Sequence, residues 1–508
     1  MRSTRSAGII LHPTSLPGPD GIGDLGPEAY QWVRLLKKCG NDLWQVLPLG
    51  PTGYGDSPYQ AFSAFAGNPY LISPTLLLDD DLLTGEDLAD RPDFPANQVA
   101  FGDVIQWKLT LLERAFARFR QTAPADLLAE MAEFQARHEG WLNDYALFMA
   151  IKESEGGVSW DHWPVTLRNR DPQALLDFVR KNPEAIQRHI FRQFLFFRQW
   201  LQLKAFANEN GVRIVGDIPI FVAYDSAEVW AKPELFYLDE KGKPTVVAGV
   251  PPDYFSPTGQ LWGNPLYRWD VHARSGYSWW IERVRAMLTM VDIIRVDHFR
   301  GFAGYWEIEA SMPTAEIGQW VPGPGADLFN AMEKALGGLP IIAEDLGEIT
   351  PDVEQLRDTL NLPGMKVLQF AFSGSPYEPF LPHNYPVNCV AYTGTHDNDT
   401  SLGWYQHAPE KEREFARRYL ARPGEDIPLD MIRAVWASAA AVTLAPLQDF
   451  LCLASEGRMN MPGNASGNWS WRMDADVLQD DALIERIHEM NFLYGRIALQ
   501  PGSSLPPV

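Results

Sequence analysis

Residues 392–400, "YTGTHDNDT", place an imidazole and two carboxylates within four positions, His396 to Asp399. Three uses fit such a cluster: a metal site, a proton relay or a solvated turn. Spacing disfavours the metal. Asp397-x-Asp399 has no glycine at the sixth position that an EF-hand loop requires. The chain has neither an HExxH nor a CxxC pair. No metal and no cofactor is expected.

Further acids stand where apolar runs turn polar: Asp217 in "VRIVGDIPIFV", Asp297 in "VDIIRVDHF" and Glu344 in "LPIIAEDLG". Asp297 and Glu344 are 47 residues apart, and Glu344 and Asp397 are 53 apart. Each gap accommodates one strand–helix unit with its loops. Taken singly, each acid is most simply a strand-end cap or half of an ion pair. On one face, two carboxyls could flank a sugar, one attacking the anomeric carbon and the other moving the proton.

Local context separates their roles. Arg295 precedes Asp297 by two positions, and on a strand i and i+2 point the same way. At about 4 Å and an effective dielectric near 20, the attraction is roughly 4 kcal/mol before desolvation. Arg295 is therefore expected to hold Asp297 ionised, as a nucleophile requires. Glu344 follows the apolar "PIIA" and precedes Asp345, so burial and a like charge should raise its pKa toward that of a general acid.

A second group is aromatic. Residues 50–70 offer Tyr54 and Tyr59, residues 249–267 offer Tyr254, Phe255 and Trp262, and residues 458–472 add Trp469 and Trp471 beside several Asn. Rings flanked by amides and hydroxyls suit sugars, which have apolar faces and polar edges. Many of the 18 Trp must be core, but these rings lie in Gly/Pro/Asn-rich stretches where binding groups collect.

The elements that must position these groups are short apolar runs of strand character. They are 42–50, 68–74, 212–222, 291–299, 339–347, 365–372, 389–397 and 449–456. Helical stretches such as 277–288 and 350–360 alternate with them, as in βαβ units. Eight runs suit a (β/α)8 barrel, with an open doubly wound sheet as the alternative. The acids favour the barrel, whose C-terminal strand ends form one catalytic face, and put Asp297, Glu344 and Asp397 on strands four, five and seven. Residues 79–205 read as a mostly helical insertion between strands two and three. The run 434–447 reads as a buried helix. The segment after the eighth strand is too short for a C-terminal β-domain, and the whole chain, 1–508, is taken as one catalytic domain.

Composition narrows the partners. The 508 residues carry 43 basic and 65 acidic side chains, a net charge of −22. Nucleic acid and anionic membranes are poor partners for such a chain. A neutral substrate fits better. The three cysteines, Cys39, Cys389 and Cys452, are too few and too scattered for a disulfide framework and suit a reducing cytoplasm. The apolar run near the N-terminus is too short for a signal-peptide core, which makes the sequons at Asn398, Asn464 and Asn468 chance matches.

Together, "GDIPIFVAYDSAEVW", "VPPDYFSPTGQLWGNPLY", "IIRVDHFRGF", "IIAEDLG", "YTGTHDNDT" and "PGNASGNW" resemble the amylomaltases, the 4-α-glucanotransferases of the α-amylase superfamily. The resemblance spans nearly the whole chain. It implies a (β/α)8 barrel with helical subdomain insertions and no C-terminal β-domain, acting on maltodextrins through a covalent glycosyl-enzyme. By position, Asp297 resembles the nucleophile, Glu344 the acid/base and Asp397 the third carboxylate, which grips sugar hydroxyls. Asp217, Arg295 and His396 match donor-site residues. Ser57, Tyr59, Trp262 and Asn464 match glucan-contacting positions, with 249–267 as an active-site loop. Ser373 departs from some relatives, which carry Asp after "QFAF" at a subsite position. Asp399 is expected to serve its own loop. A monomer is favoured. The rivals are a hydrolytic amylase-like enzyme and a non-catalytic glucan-binding protein. A retaining mechanism predicts carboxyls of Asp297 and Glu344 about 5–5.5 Å apart.

Overall fold

The computed structural model describes residues 5–252, 256–464 and 466–497. Its strands, in chain order, are β1 (Ser6–Ile10), β2 (Leu43–Gln45), β3 (Arg213–Pro219), β4 (Val246–Val250), β5 (Gln260–Pro265) and β6 (Ile293–Asp297). They continue with β7 (Gly304–Glu309), β8 (Gln319–Pro322), β9 (Ile341–Ala343), β10 (Gly364–Val367), β11 (Cys389–Tyr392) and β12 (Val442–Pro446). Eight of them close a parallel barrel in the order β1-β12-β11-β10-β9-β6-β3-β2. With its helices this is a (β/α)8 barrel.

The barrel is filled, not hollow. Inward side chains from alternate positions form one cluster, including Ile10, Leu43, Val215, Ile342, Met365, Val390 and Leu444. Gly8 is the small member of this layer. A Cβ there would lie 2.5 Å from Leu43 Cβ and 2.7 Å from Leu444 Cδ2. The outward faces of the strands join a larger cluster shared with the surrounding helices. Two opposed apolar surfaces on each strand explain why the strands read as continuous apolar runs.

Two of the eight expected strands are wrong. Residues 68–74 form a 3-10 helix, Pro69–Leu71, capped by Asn68, whose side chain accepts from Tyr70 N at 2.9 Å. Pro69 and Pro74 lack the N–H that a central strand donates. Residues 449–456 begin inside the helix Leu447–Phe450, and Cys452 turns left-handed at φ 52. The true first and eighth strands are β1 and β12. β1 is the apolar run near the N-terminus, which the sequence suggested only as a failed signal-peptide core. β12 lies inside the run expected as one helix, which breaks after the helix Ile427–Ala437. One missed strand at the front offsets one false strand behind β2. Asp297, Glu344 and Asp397 thus keep the fourth, fifth and seventh places.

Between β2 and β3 the chain builds the helices Phe101–Thr122, Ala125–Arg137, Glu139–Ser154 and Pro183–Glu209, the last of which leads into β3. A second, four-stranded antiparallel sheet, β5-β4-β7-β8, was not anticipated. Its β4 and β5 take residues 249–250 and 260–265 of the stretch 249–267, expected as a loop. Gly and Pro in that stretch masked the alternation by which a strand is recognised. Among the described residues no strand comes after β12. The helix Asp481–Leu493 closes that end, where Asn491 receives Trp436 Nε1–H at 2.7 Å and donates to Cys39 O at 2.8 Å. Among the described residues no helix is long and apolar enough to cross a membrane.

Candidate active site

Inward positions on β6 run Ile293, Arg295, Asp297: apolar at the bottom of the barrel, charged at the top. Register aligns the neighbours. Asp217 on β3 lies opposite Arg295, and Val296 lies opposite Ala343 of β9. Glu344, the next residue, therefore stands beside Asp297. The two chain segments are tied there, since Glu344 N donates to Val296 O at 3.1 Å and Phe299 N to Glu344 O at 3.0 Å.

Arg295 is the hub. Its Nη1 donates to Asp217 Oδ2 at 2.6 Å, and its Nη2 lies 3.0 Å from Asp297 Oδ1. Tyr59 O–H donates to the same Asp217 oxygen at 2.8 Å. Asp217 is 0 % exposed and Arg295 3 %, whereas Asp297 keeps 30 % of its side chain open to the cleft. The guanidinium thus serves two carboxylates. As a result, Arg295 moderates the Asp297 pKa without depressing it. Burial pushes Asp297 up to about 6, Arg295 pulls against this, and Asp217 and Asp397 add to the rise.

Glu344 is held by two backbone donors, His298 N at 2.7 Å to Oε2 and Leu346 N at 3.1 Å to Oε1. Burial, and next the charge of Asp297, push it up to about 8. The like charge that matters is Asp297, more than Asp345 as expected from sequence. Asp345 turns away to Arg357 Nη1 and Met365 N, both at 2.6 Å. His298 adopts the left-handed conformation at φ 53, which aims its N–H at Glu344. Such a conformation in a non-glycine residue stores of order 1 kcal/mol and clusters at functional sites.

Asp397 lies beyond the end of β11, on the turn 393–400. Its Oδ1 receives Asn460 Nδ2–H at 2.6 Å and lies 3.3 Å from His396 Nε2. Burial opposes charging of either group. The attraction between them outweighs it, holding Asp397 below its usual range and His396 above. The Tyr59 ring stacks on His396 at 5.0 Å and 17°, and Trp469 packs 5.9 Å from each. Trp469 is also left-handed, at φ 64. Trp262 of β5 meets His298 edge-on at 4.7 Å.

Most of the expected residues converge. Ser57 Oγ accepts from Tyr59 N at 3.2 Å and so shapes the turn that presents Tyr59. Asp399 goes elsewhere: its oxygens receive Ser455 Oγ–H at 2.7 Å and Thr400 N–H at 2.8 Å. Asn464 is exposed, and its hydrogen bonds stay within its own turn, to Met461 and Asn468. Ser373 donates to Glu378 at 3.2 Å. Tyr254 and Phe255 lie outside the described residues, as does the Tyr54 side chain.

Sequence reasoning missed three contributors. Asn460 and Arg458 anchor Asp397, the latter through its backbone oxygen at 2.8 Å. No sequence signal ranks Asn460 above Asn464. His12, two residues past Ile10 of β1, is buried beside His396 and is pushed down to about 3 by burial and by that neighbour. Recognising β1 would have exposed it by the same strand-end rule that found Asp297.

A (β/α)8 barrel whose C-terminal face gathers a carboxylate pair, a third acid and flanking rings defines a class: enzymes of glycosidic-bond chemistry. Residues 11–478 match the Glyco_hydro_77 family, described as 4-alpha-glucanotransferase. The 4-alpha-glucanotransferase of Thermus thermophilus is 54 % identical over 481 residues, 93 % of this chain and 95 % of that protein. The one from Synechocystis is 49 % identical over 500 residues, 98 % of this chain and 99 % of its own. The solved amylomaltase from Streptococcus agalactiae in complex with acarbose superposes with a TM-score of 0.94 at 39 % identity, covering 97 % of this chain and 100 % of that one. The chain belongs to the 4-alpha-glucanotransferase family, and it is an enzyme.

Proposed function

We propose that this enzyme moves α-1,4-glucan segments between maltodextrins by double displacement, with Asp297 as nucleophile and Glu344 as acid/base. Asp297 attacks the anomeric carbon as the C1–O4 bond breaks, and Glu344 gives its proton to the departing O4. The glycosyl ester is resolved by the 4-hydroxyl of a second glucan. That hydroxyl loses its proton to Glu344, its oxygen bonds C1, and the ester bond to Asp297 breaks. Two inversions give net retention.

The observation that carries this reading is the side-by-side placement of Asp297 and Glu344 at neighbouring strand ends. Adjacent strands lie about 4.8 Å apart. That suits a retaining pair, at about 5–5.5 Å, better than an inverting pair, which needs about 6.5–9.5 Å. The electrostatics support the division of labour: Glu344 holds its proton to higher pH than Asp297 does. Asp397, pinned by Asn460 and His396, is assigned to grip hydroxyls of the distorted sugar. Arg295 and Asp217 position the nucleophile. Tyr59 and Trp262 offer ring faces to the glucan, with Ser57 supporting Tyr59 and Asn464 on the rim. Transfer outruns hydrolysis when bound acceptor and flanking rings keep water from the ester. We assign the enzyme to the cytoplasm, consistent with its three free cysteines, and as a monomer.

Maltotriose tests the reaction. Transfer yields glucose and longer maltodextrins while total reducing ends stay constant. A steady rise in reducing ends would make the enzyme a hydrolase.

A further inference from the structure

Asp397 sits where two turns meet, 393–400 after β11 and 457–460 further along the chain. Both turns are tied to one short helix, Leu447–Phe450, which follows β12 directly. Tyr392 of β11 and Leu444 of β12 are register partners, so this helix stands beside the start of the first turn. Asp449, 1 % exposed, closes that turn from both ends. Its Oδ2 accepts Thr393 Oγ1–H at 2.5 Å and Ser401 Oγ–H at 2.7 Å, and its Oδ1 accepts Ser401 N–H at 2.7 Å. Thr393 and Ser401 are eight positions apart and flank the whole segment that carries His396 and Asp397. The neighbouring Gln448 holds the second turn, its Nε2 donating to Gly457 O at 3.0 Å. From that turn Arg458 Nη2 donates to Asp397 O at 2.8 Å, Asn460 Nδ2 to Asp397 Oδ1 at 2.6 Å and Asn460 N to His396 O at 3.1 Å.

Burying a carboxylate is costly, and packing alone does not call for one. What a carboxylate adds is direction: its two oxygens accept three donors at fixed places, which an apolar contact does not specify. Burial pushes the Asp449 pKa up, and the donors of Thr393 and Ser401 oppose that rise. We propose that Asp449 is a positioning residue for the transfer reaction, which together with Gln448 sets the two turns that aim Asp397 at the sugar. The inference rests on the reading of Asp397 as the acid that grips the distorted sugar. Asp449 lies beneath the turn and acts on the sugar only through Asp397. The grip matters most in the transition state, so a loosened turn lowers kcat and leaves the binding of undistorted substrate nearly unchanged.

Asp449→Asn keeps the shape of the side chain but sets an amide N–H among groups that all donate to it. It should lower kcat for maltotriose about 10–100-fold with KM within about threefold of the parent. Thr393→Val should lower kcat about tenfold, and Thr393→Ser, which keeps the hydroxyl, should stay within about threefold. In an Asp397→Asn enzyme, the further change Asp449→Asn should lower kcat less than about threefold, because the turn no longer has a carboxylate to aim. Full additivity of those two changes would make Asp449 a packing group and overturn the proposal. If Asp449→Asn fails to fold by circular dichroism, the Thr393 pair decides, and equal kcat in its valine and serine variants ends the proposal. Parental kcat in Asp449→Asn alone removes the proposal and leaves the reading of Asp397 standing. Parental kcat in Asp397→Asn alone removes that reading and the proposal with it.

Discussion

The backbone N–H of His298 donates to Glu344 Oε2 at 2.7 Å, so the residue after the proposed nucleophile holds the proposed acid/base. The bond crosses from the end of β6 to the end of β9. It couples two groups that must act on opposite sides of one glycosidic bond. It requires the left-handed turn at His298, and its N–H favours the charged carboxylate, working against the burial that holds the proton on Glu344.

If Asp297 is the nucleophile and Glu344 the acid/base, the two substitutions separate by leaving group. Asp297→Asn should lower transfer from maltotriose by about 10^4-fold or more. Glu344→Gln should lower it similarly, yet recover glycosyl-enzyme formation with α-glucosyl fluoride, whose leaving group needs no proton. Recovery by the Asp297 variant instead, measured as fluoride release, would reverse the assignment.

The acid–base order fixes the pH profile. Asp297 must be ionised and Glu344 protonated, so kcat/KM falls below about pH 6 and above about pH 8. Because the groups interact, the two limbs belong to the pair. Both folded pKa values lie above their unfolded ones. The folded state therefore binds more protons, and stability from these groups is present at low pH and lost as pH rises toward 8. Glu344→Gln removes that loss. Thermal melts should show a larger gain from this variant at pH 9 than at pH 6.

Asn460 and Asn464 offer a direct contrast. Asn460→Ala releases Asp397 Oδ1 and should lower kcat about 10–100-fold, with the fold intact by circular dichroism. Asn464→Ala touches only its own turn and should change kcat less than about threefold. Comparable losses in both would return Asn464 to the site on equal footing.

Arg295 bridges two carboxylates through separate nitrogens, which a single ammonium cannot reproduce. Arg295→Lys should lower kcat/KM more than about tenfold and move its acid limb upward, because Asp297 loses part of its counter-charge. A limb that stays in place would mean that Arg295 acts on substrate alone.

The sequence by itself determined the fold class and the placement of three acids, Asp297, Glu344 and Asp397, at the ends of the fourth, fifth and seventh barrel strands. Buried parallel strands must be apolar on both faces, so an acid at the end of such a run has one destination, the open face of the sheet. That logic located Asp217, Asp297 and Glu344 even though two strands were misassigned. Very short strands that open on small residues, such as "SAGII", and helix-to-strand breaks inside an alanine-rich stretch carry little local signal. Only closure of the barrel selects them. Tertiary structure alone decided the electrostatics. Arg295 is shared because register sets Asp217 opposite it. Glu344 answers to Asp297 more than to its sequence neighbour Asp345, because successive residues point to opposite faces. Asn460, and not Asn464, reaches Asp397 because hydrogen bonding depends on where a turn folds back, which the order of asparagines along it does not record.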